Sequence, residues 1–239
     1  MLQFYSFIHN IWLRFLDFVY RKVYILTKCF NRKGYSVLML HDISDSNYKY
    51  SISVNELEKL IQKVGHDGFI SMDSFYKHLL ENAINDKVIL TFDDIFESVY
   101  LNAYPILKKY SIPFTVFVCT DFIDKKGYIS TEQLRELANE PLCTIGSHSS
   151  HHVKHRNYDS STVKEWLANS KELLEKITKR EVKYMAFPYG SKFACSSTNL
   201  KDAFNCGFNL VFSTTPNKVY TNKVLRGFCP RINYSGKWE

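Results

Sequence analysis

The sequence predicts an α/β fold: a distorted (β/α)7-type barrel with an N-terminal amphipathic helix. From residue 36 onward, short apolar runs typical of buried strands alternate with segments that carry helical periodicity and helix start signals. Strands separated by helices pair in parallel through right-handed crossovers, and six or seven such units close or nearly close a barrel. The chain has 239 residues, 45% of them hydrophobic, which suits one such core.

Each predicted element has its own local signal. The apolar runs that predict strands are residues 37–40, 88–92, 114–118, 143–146, 182–187 and 209–212, with 224–225 as a candidate seventh. The first helix is predicted at the capping box of Ser53 and Glu56. Further helices are predicted near residues 74–81, 97–110, 131–138, 162–177 and 199–205. No internal repeat or long linker interrupts this region, so we expect a domain over residues 34–239 after an appendage of residues 1–33.

The N-terminal appendage is rich in aromatic and aliphatic residues. Arg14 and Asp17 interrupt it, and no uninterrupted run approaches the ~20 apolar residues of a spanning helix, so neither a transmembrane span nor a signal peptide is expected. Polar residues recur every three or four positions and leave one broad apolar face. Two interpretations remain open: a helix in a membrane interface, contacting the membrane through residues 1–30, or a helix packed on the domain or on a second copy.

Charge and cysteine content narrow the function classes. Lys and Arg outnumber Asp and Glu by 31 to 24, with much of the excess near the N-terminus, which favours a negatively charged surface near that end. The six cysteines form no CxxC pair and have no regular spacing, so we expect reduced thiols and a cytoplasmic, peripherally membrane-associated protein. Nucleic-acid binding is disfavoured, because the basic residues are not interleaved with aromatics along one face of the domain.

Polar clusters follow several predicted strands at the point where each strand ends. His41 and Asp42 follow the first strand, Asp93 and Asp94 follow the second, and a histidine-rich segment, residues 148–152, follows the fourth. The fifth is followed by residues 188–190. Because the carboxyl ends of parallel barrel strands open onto one face, we expect these residues to converge on one pocket.

Two of these clusters together predict a metal site. Adjacent side chains at a strand end diverge, so Asp93 and Asp94 can divide two tasks, holding a metal and handling a proton. An Asp-Asp pair is also typical of turns and helix N-caps, and a histidine-rich segment can be a surface loop. His148 and His152, with one carboxylate, match a hydrolytic zinc set, although harder divalent metals also suit such ligands.

The motifs TFDD (91–94), HSSHH (148–152) and FPYG (187–190) resemble the polysaccharide deacetylase family with its NodB-type homology domain, over roughly residues 36–234. The resemblance implies that Asp93 is the general base, that Asp94, His148 and His152 bind a divalent metal such as zinc, and that Tyr189 offers its backbone N–H to an oxyanion. Base, metal and oxyanion donor together suit amide hydrolysis.

The sequence also departs from the family pattern. The arginine that many members have two residues before the motif proline is Ala186 here, and the later aspartate that pairs with it is absent from residues 211–215. Arg226 or Arg231 is a candidate replacement that would orient Asp93. Pro188 and Arg231 are expected to contact substrate.

The usual late histidine of the family is absent as well, since no histidine follows His155. His41 is similar in position to the early histidine that serves as the acid in a subgroup including poly-N-acetylglucosamine deacetylases, and an unperturbed imidazole titrates near pH 6.5. A purely structural role for His41 stays open.

The resemblance implies a metal-dependent hydrolase that removes an N-acetyl or related acyl group from an amino sugar, in a polysaccharide or a lipid-linked saccharide. Two alternatives remain at this level. One is an O-acetyl esterase or small-amide hydrolase on the same scaffold. The other is a non-catalytic carbohydrate-binding relative, which the missing arginine, aspartate and late histidine favour.

Overall fold

The computed structural model describes residues 33–236, so the predicted N-terminal helix lies outside the described residues. Within them, eight parallel strands form one sheet in the order β7-β6-β5-β4-β3-β2-β1-β8. The strands are β1 Ser36–Leu40, β2 Val88–Phe92, β3 Phe114–Val118, β4 Cys143–Ser147, β5 Tyr184–Ala186, β6 Leu210–Phe212, β7 Phe228–Cys229 and β8 Ile232–Asn233. The predicted α/β barrel architecture is confirmed, and the barrel is distorted because β7 and β8 are the two edges of an open sheet.

Helices connect the strands. They are α1 Val54–Val64, α2 Met72–Leu80, α3 Tyr104–Lys109, α4 Thr131–Asn139, α5 Ser160–Thr178 and α6 Ser197–Asn205. A π-helix, Val99–Ala103, precedes α3, so the predicted helix over 97–110 is two joined elements. No helix within residues 33–236 is long and apolar enough to cross a membrane.

Local capping chemistry fixes where several helices begin. The predicted capping box at the start of α1 is present: the Ser53 hydroxyl accepts from the Glu56 amide, and the Glu56 carboxylate accepts from the Ser53 amide. Equivalent reciprocal bonds begin α4 at Ser130 and α6 at Ser196. Each box satisfies backbone donors that would otherwise lack a partner, which sets the first residue of the helix.

The candidate seventh strand at residues 224–225 is wrong. Both residues lie in the 3-10 helix Asn222–Arg226, which begins where the Thr221 hydroxyl accepts from the Lys223 amide. The last two strands, β7 and β8, have only two residues each and flank Pro230 and Arg231. Runs this short carry no readable alternation, which is why the sequence did not reveal them.

Alternation along the strands divides the core into two layers. Inward side chains form an inner cluster that α2 covers: Val37, Ile89, Phe117, Tyr184, Leu210 and Phe212, with Met72, Phe75 and Leu79 from the helix. The alternate positions, such as Leu38, Leu90 and Val116, belong to the outer layer. Because residues two apart share a face, the inward series of β2 continues from Ile89 through Thr91 to Asp93. The Asp93 carboxylate therefore lies on the inward face, at the end of the barrel interior.

A substitution at Gly146 tests the packing of the inner layer. A Cβ at this position would lie 2.5 Å from the Phe117 ring and 3.1 Å from the Tyr184 carbonyl oxygen. Gly146→Ala is expected to lower the free energy of unfolding by about 1–3 kcal/mol, as overpacking does. The matched control is Gly227→Ala, whose Cβ would lie 3.6 Å from its nearest neighbour, the Lys223 carbonyl oxygen. Urea denaturation of both variants checks this, and equal stabilities would contradict it.

Candidate active site

Backbone turns at the strand ends separate neighbouring side chains. Asp94 and Ile95, directly after β2, both have positive φ angles, 64° and 58°. Ser149 and Tyr189 have φ angles of 67° and 59° after β4 and β5. Left-handed backbone at residues other than glycine costs energy and is concentrated at functional sites. The reversal at Asp94 lets two adjacent carboxylates make entirely different contacts.

Asp93 forms a buried ion pair with Arg231. Nη1 of Arg231 donates to Oδ1 and Nη2 donates to Oδ2, both at 2.6 Å. Nε of the same guanidinium donates to the Ser213 carbonyl at 3.1 Å. Burial alone would raise the pKa of Asp93, but Arg231, His148 and His41 outweigh it, so the pKa lies below its usual value. Asp93 is therefore an ionised carboxylate in a fixed orientation.

The structure distinguishes between the two candidate arginines. Arg231 pairs with Asp93, whereas Arg226 is exposed at the end of a 3-10 helix. The expected substrate contact of Arg231 is wrong, because its side chain is fully buried, with 0% of its surface exposed. Pro188 is buried as well, so at this loop the solvent-facing surface belongs to Tyr189, which is 51% exposed.

Asp94, His148 and His152 come together at the mouth of the barrel. Oδ1 of Asp94 lies 3.0 Å from Nε2 of His152 and 3.4 Å from Nε2 of His148. One ligand atom from each residue lies within 4.8 Å of the other two. The group joins the end of β2 to the end of β4, as the strand-end argument predicts.

Hydrogen bonding supports a cation at this point. Nδ1 of His148 lies 2.7 Å from the Ala186 carbonyl oxygen, which can only accept, so Nδ1 carries a proton. In the neutral ring, Nε2 then presents a lone pair toward Asp94. Oδ1 of Asp94 is buried and makes no well-aligned hydrogen bond within residues 33–236, although both Nε2 atoms approach it. A carboxylate oxygen and an imidazole lone pair that face one another fit a divalent metal between them. The hydrogen bond to Ala186 fixes the orientation of the His148 ring, as contacts behind metal-binding histidines commonly do.

His41 lies at the same mouth. Its ring stacks on Tyr50 with centroids 5.0 Å apart, and Nδ1 is buried with no partner within residues 33–236. Burial lowers the pKa of His41 below its usual value, although Asp93 and Asp94 act in the opposite direction. The imidazole is therefore mainly neutral at pH 7.

Tyr189 borders the metal group from β5. Its ring centroid lies 4.7 Å from that of His152. Its carbonyl accepts from the Thr214 hydroxyl at 2.9 Å, and its own amide has no acceptor within the described chain. A Cβ at the next residue, Gly190, would lie 2.8 Å from the Thr214 nitrogen, so the loop packs tightly against the chain after β6. An N–H group without an acceptor is thus held near the candidate metal ligands.

The two other histidines of the segment have separate partners. His151 pairs with Asp121, and both side chains are partly exposed. His155 is buried, with Nδ1 2.9 Å from the Val153 carbonyl and Nε2 2.7 Å from the Ser149 hydroxyl. Burial lowers the pKa of His155 to about 4, so this ring is neutral and has a structural role. Neither histidine belongs to the metal-type group of Asp94, His148 and His152.

Several contacts around the mouth were not predicted from the sequence. The Asp42 carboxylate accepts from the hydroxyls of Ser44, Ser46, Ser51 and Ser98. A series of aromatic rings in mutual contact begins at Tyr50 and borders the site. The sequence signals for these contacts were the serines of residues 44–51 and the aromatic residues that follow three strand ends. Such residues do not predict a particular loop conformation.

This fold and site define an open α/β barrel with a candidate mononuclear metal centre at the carboxyl ends of its strands. The chain belongs to the polysaccharide deacetylase family, whose sequence profile matches residues 81–211.

Curated relatives match over most of the barrel. A putative polysaccharide deacetylase of Bacillus subtilis, YxkH, is 26% identical over 184 residues, covering 75% of this chain and 64% of the relative. A poly-beta-1,6-N-acetyl-D-glucosamine N-deacetylase of Staphylococcus aureus is 30% identical over 157 residues, covering 59% of this chain and 54% of the relative. The chain thus spans less than two thirds of the length of these relatives.

Solved structures share the fold. IcaB from Ammonifex degensii superposes with a TM-score of 0.76 at 26% identity, covering 84% of this chain and 92% of that one. Streptococcus pyogenes deacetylase PplD, solved in complex with acetate, gives a TM-score of 0.76 at 22% identity and covers 86% and 94%. The second likeness concerns the fold alone.

Metal binding tests the candidate centre. Asp94→Asn, His148→Ala and His152→Ala are each expected to weaken Zn²⁺ binding by more than about tenfold, because each removes one of three ligands. Asp93→Asn is expected to retain binding, since Asp93 pairs with Arg231 instead. Calorimetric titration of chelator-treated protein measures this, with His151→Ala as the control. Metal loss in Asp93→Asn, with binding intact in Asp94→Asn, would reverse the two roles.

Proposed function

We propose that the protein is a metal-dependent carbohydrate N-deacetylase, which hydrolyses the acetamido C–N bond of an amino sugar in a polysaccharide or lipid-linked saccharide. The observation that carries the proposal is the pairing of two carboxylates with different partners: Asp93 with Arg231, and Asp94 with two imidazoles. The name of the Staphylococcus aureus relative supports an acetylated glucosamine glycan as the substrate class.

Asp93 is suited to accept a proton from the attacking water. Its pKa lies below the usual value, so it is ionised throughout the neutral range. Both of its oxygens are held by Arg231, which prevents the carboxylate from rotating away. A positioned base of this kind contributes about 10²–10⁴-fold to a hydrolytic rate.

Asp94, His148 and His152 would hold the metal, for which we propose zinc. The metal, when bound, would polarise the acyl carbonyl and acidify a water molecule. The free amide of Tyr189 would donate to the oxygen that gains charge as water adds to the carbonyl. Such a backbone donor is worth about 3–4 kcal/mol in favourable cases.

His41 would donate the proton that the leaving amine needs. Its ring lies near Asp93 and Asp94, both of which favour its protonated form, and its buried Nδ1 has no partner within residues 33–236. Because burial keeps His41 mainly neutral, O-acetyl ester hydrolysis is the second candidate function. An alcohol leaves with less help from an acid than an amine does.

The lipid-linked form of the substrate depends on the N-terminal appendage. A helix that contacts a membrane through residues 1–30 would bring the barrel close to saccharides anchored there. This contact stays a prediction, since it concerns residues outside the described part of the chain.

Acetate release tests the proposed function. The 239-residue chain loaded with Zn²⁺ is expected to release acetate from β-1,6-linked N-acetylglucosamine oligomers, and chelator or Asp93→Asn should reduce the rate by at least about 10²-fold. Mass spectrometry of the oligomers measures the loss of each acetyl group. A matched O-acetylated oligomer separates the two candidate reactions: release from the ester alone would contradict the N-deacetylase and favour the esterase. Release from neither would contradict both.

Leaving-group chemistry tests the role of His41. His41→Ala is expected to slow acetate release from the N-acetylated oligomer by about 10²-fold, because the amine must be protonated to leave. p-Nitrophenyl acetate needs no such proton, so its hydrolysis should fall much less.

The control for this test is His66→Ala, because His66 is an exposed histidine between α1 and α2. Equal losses on both substrates in His41→Ala would assign His41 a structural role.

A further inference from the structure

The loop between β1 and α1 places an exposed aromatic ring beside the candidate site. Tyr48 is 42% exposed. It packs edge-on against Tyr50 at 5.6 Å and at a tilt against Phe96 at 5.5 Å. Tyr50 in turn stacks on His41. Tyr48 is thus two ring contacts away from the imidazole that we propose as the acid.

This loop is anchored internally. Three of its hydroxyls, from Ser44, Ser46 and Ser51, donate to the buried carboxylate of Asp42. The Tyr48 carbonyl also accepts from the Ser51 amide at 2.9 Å. Because the carboxylate ties both ends of the loop, the Tyr48 ring is held in place before any ligand arrives.

Tyr48 lies near one end of an aromatic arc around the barrel mouth. In strand order the arc consists of Tyr50, Tyr48, Phe96, Tyr128, Phe122, His152 and Tyr189. The middle of the arc is closed to ligands, since Tyr128 stacks on Phe96 at 5.0 Å and on Phe122 at 4.5 Å. Its well-exposed rings are Tyr48 on the β1 side and Tyr189 on the β5 side. The metal-type group, from β2 and β4, lies between them.

We propose that Tyr48 is a carbohydrate-binding residue, against which the sugar next to the one being deacetylated stacks. The substrate is therefore an oligomer of an amino sugar and not a monosaccharide. The inference rests on the proposed function and adds a specificity-determining residue to it. A pyranose has an apolar C–H face and a polar rim, which match a tyrosine ring with its hydroxyl.

The state of the hydroxyl agrees with this role. Burial, with Asp94 as a further contributor, raises the pKa of Tyr48 to about 12. A tyrosine hydroxyl is protonated at neutral pH even without this shift, so the phenol can donate to a sugar oxygen. Tyr189 is less suited to a neighbouring sugar, because its ring lies against a candidate metal ligand.

Substrate length provides the test. Tyr48→Ala in the Zn²⁺-loaded 239-residue chain is expected to raise KM for a β-1,6-linked N-acetylglucosamine tetramer by about tenfold, with a smaller effect on kcat. The loss of kcat/KM on the tetramer should exceed the loss on p-nitrophenyl acetate by at least about tenfold. Tyr48→Trp should retain most of the affinity, since it keeps an aromatic face. Tyr158→Ala is the control, because Tyr158 is 45% exposed and lies outside the arc.

The outcomes are distinguishable. An unchanged tetramer KM in Tyr48→Ala, or equal losses on both substrates, would overturn the inference. Acetate release by the wild-type protein is read separately, and its absence would contradict the proposed function alone. In that case, calorimetric binding of the tetramer to the wild-type protein and to Tyr48→Ala decides the role of Tyr48. Equal affinities of the two proteins for the tetramer, or no binding to either protein, would overturn the proposed role of Tyr48.

Discussion

The ion pair between Asp93 and Arg231 is the interaction on which the site depends. Two charges removed from water lose several kcal/mol of solvation each, and only good geometry and further hydrogen bonds offset this loss. Here the pair is bidentate, and the guanidinium also donates to Ser213 and Thr91. It lies over the faces of Phe117 and Phe212, with its carbon 5.3 and 5.9 Å from the ring centroids. The Arg231 guanidinium is thus packed within the inner layer of the barrel.

The origin of that cation explains the departure from the family pattern. Ala186, at the position of the motif arginine, points its small side chain into the barrel and uses its carbonyl to orient His148. Arg231 supplies the positive charge from the chain after β7, where its amide donates to the Thr215 carbonyl at 3.1 Å. It lies between β7 and β8, the two edge strands, so the chain that crosses the opening of the barrel also carries the partner of Asp93. The segment that links the two edge strands therefore also orients the Asp93 carboxylate.

The sequence was informative where regular periodicity governs the structure. Alternation along β2 predicted that Asp93 and Asp94 diverge, and the parallel arrangement predicted that Asp94, His148 and His152 approach one another. The sequence could not choose between Arg226 and Arg231, because the chain after β6 forms short elements without a readable period.

The irregular features of the mouth were harder to predict. The serine contacts of Asp42 and the ring contacts of Tyr48 depend on a loop whose path no pattern encodes. Left-handed backbone at Ile95 and Tyr189 is unusual for such residues, and it is the fold that imposes it.

The short length of β7 and β8 also affects whether molecules can associate through the edges of their sheets. An open parallel sheet ordinarily presents two rows of unpaired amides and carbonyls to which a strand from another molecule can add. With two residues in each edge strand, there is almost no ladder to extend. A barrel that never fully closes can therefore remain free of edge-to-edge association.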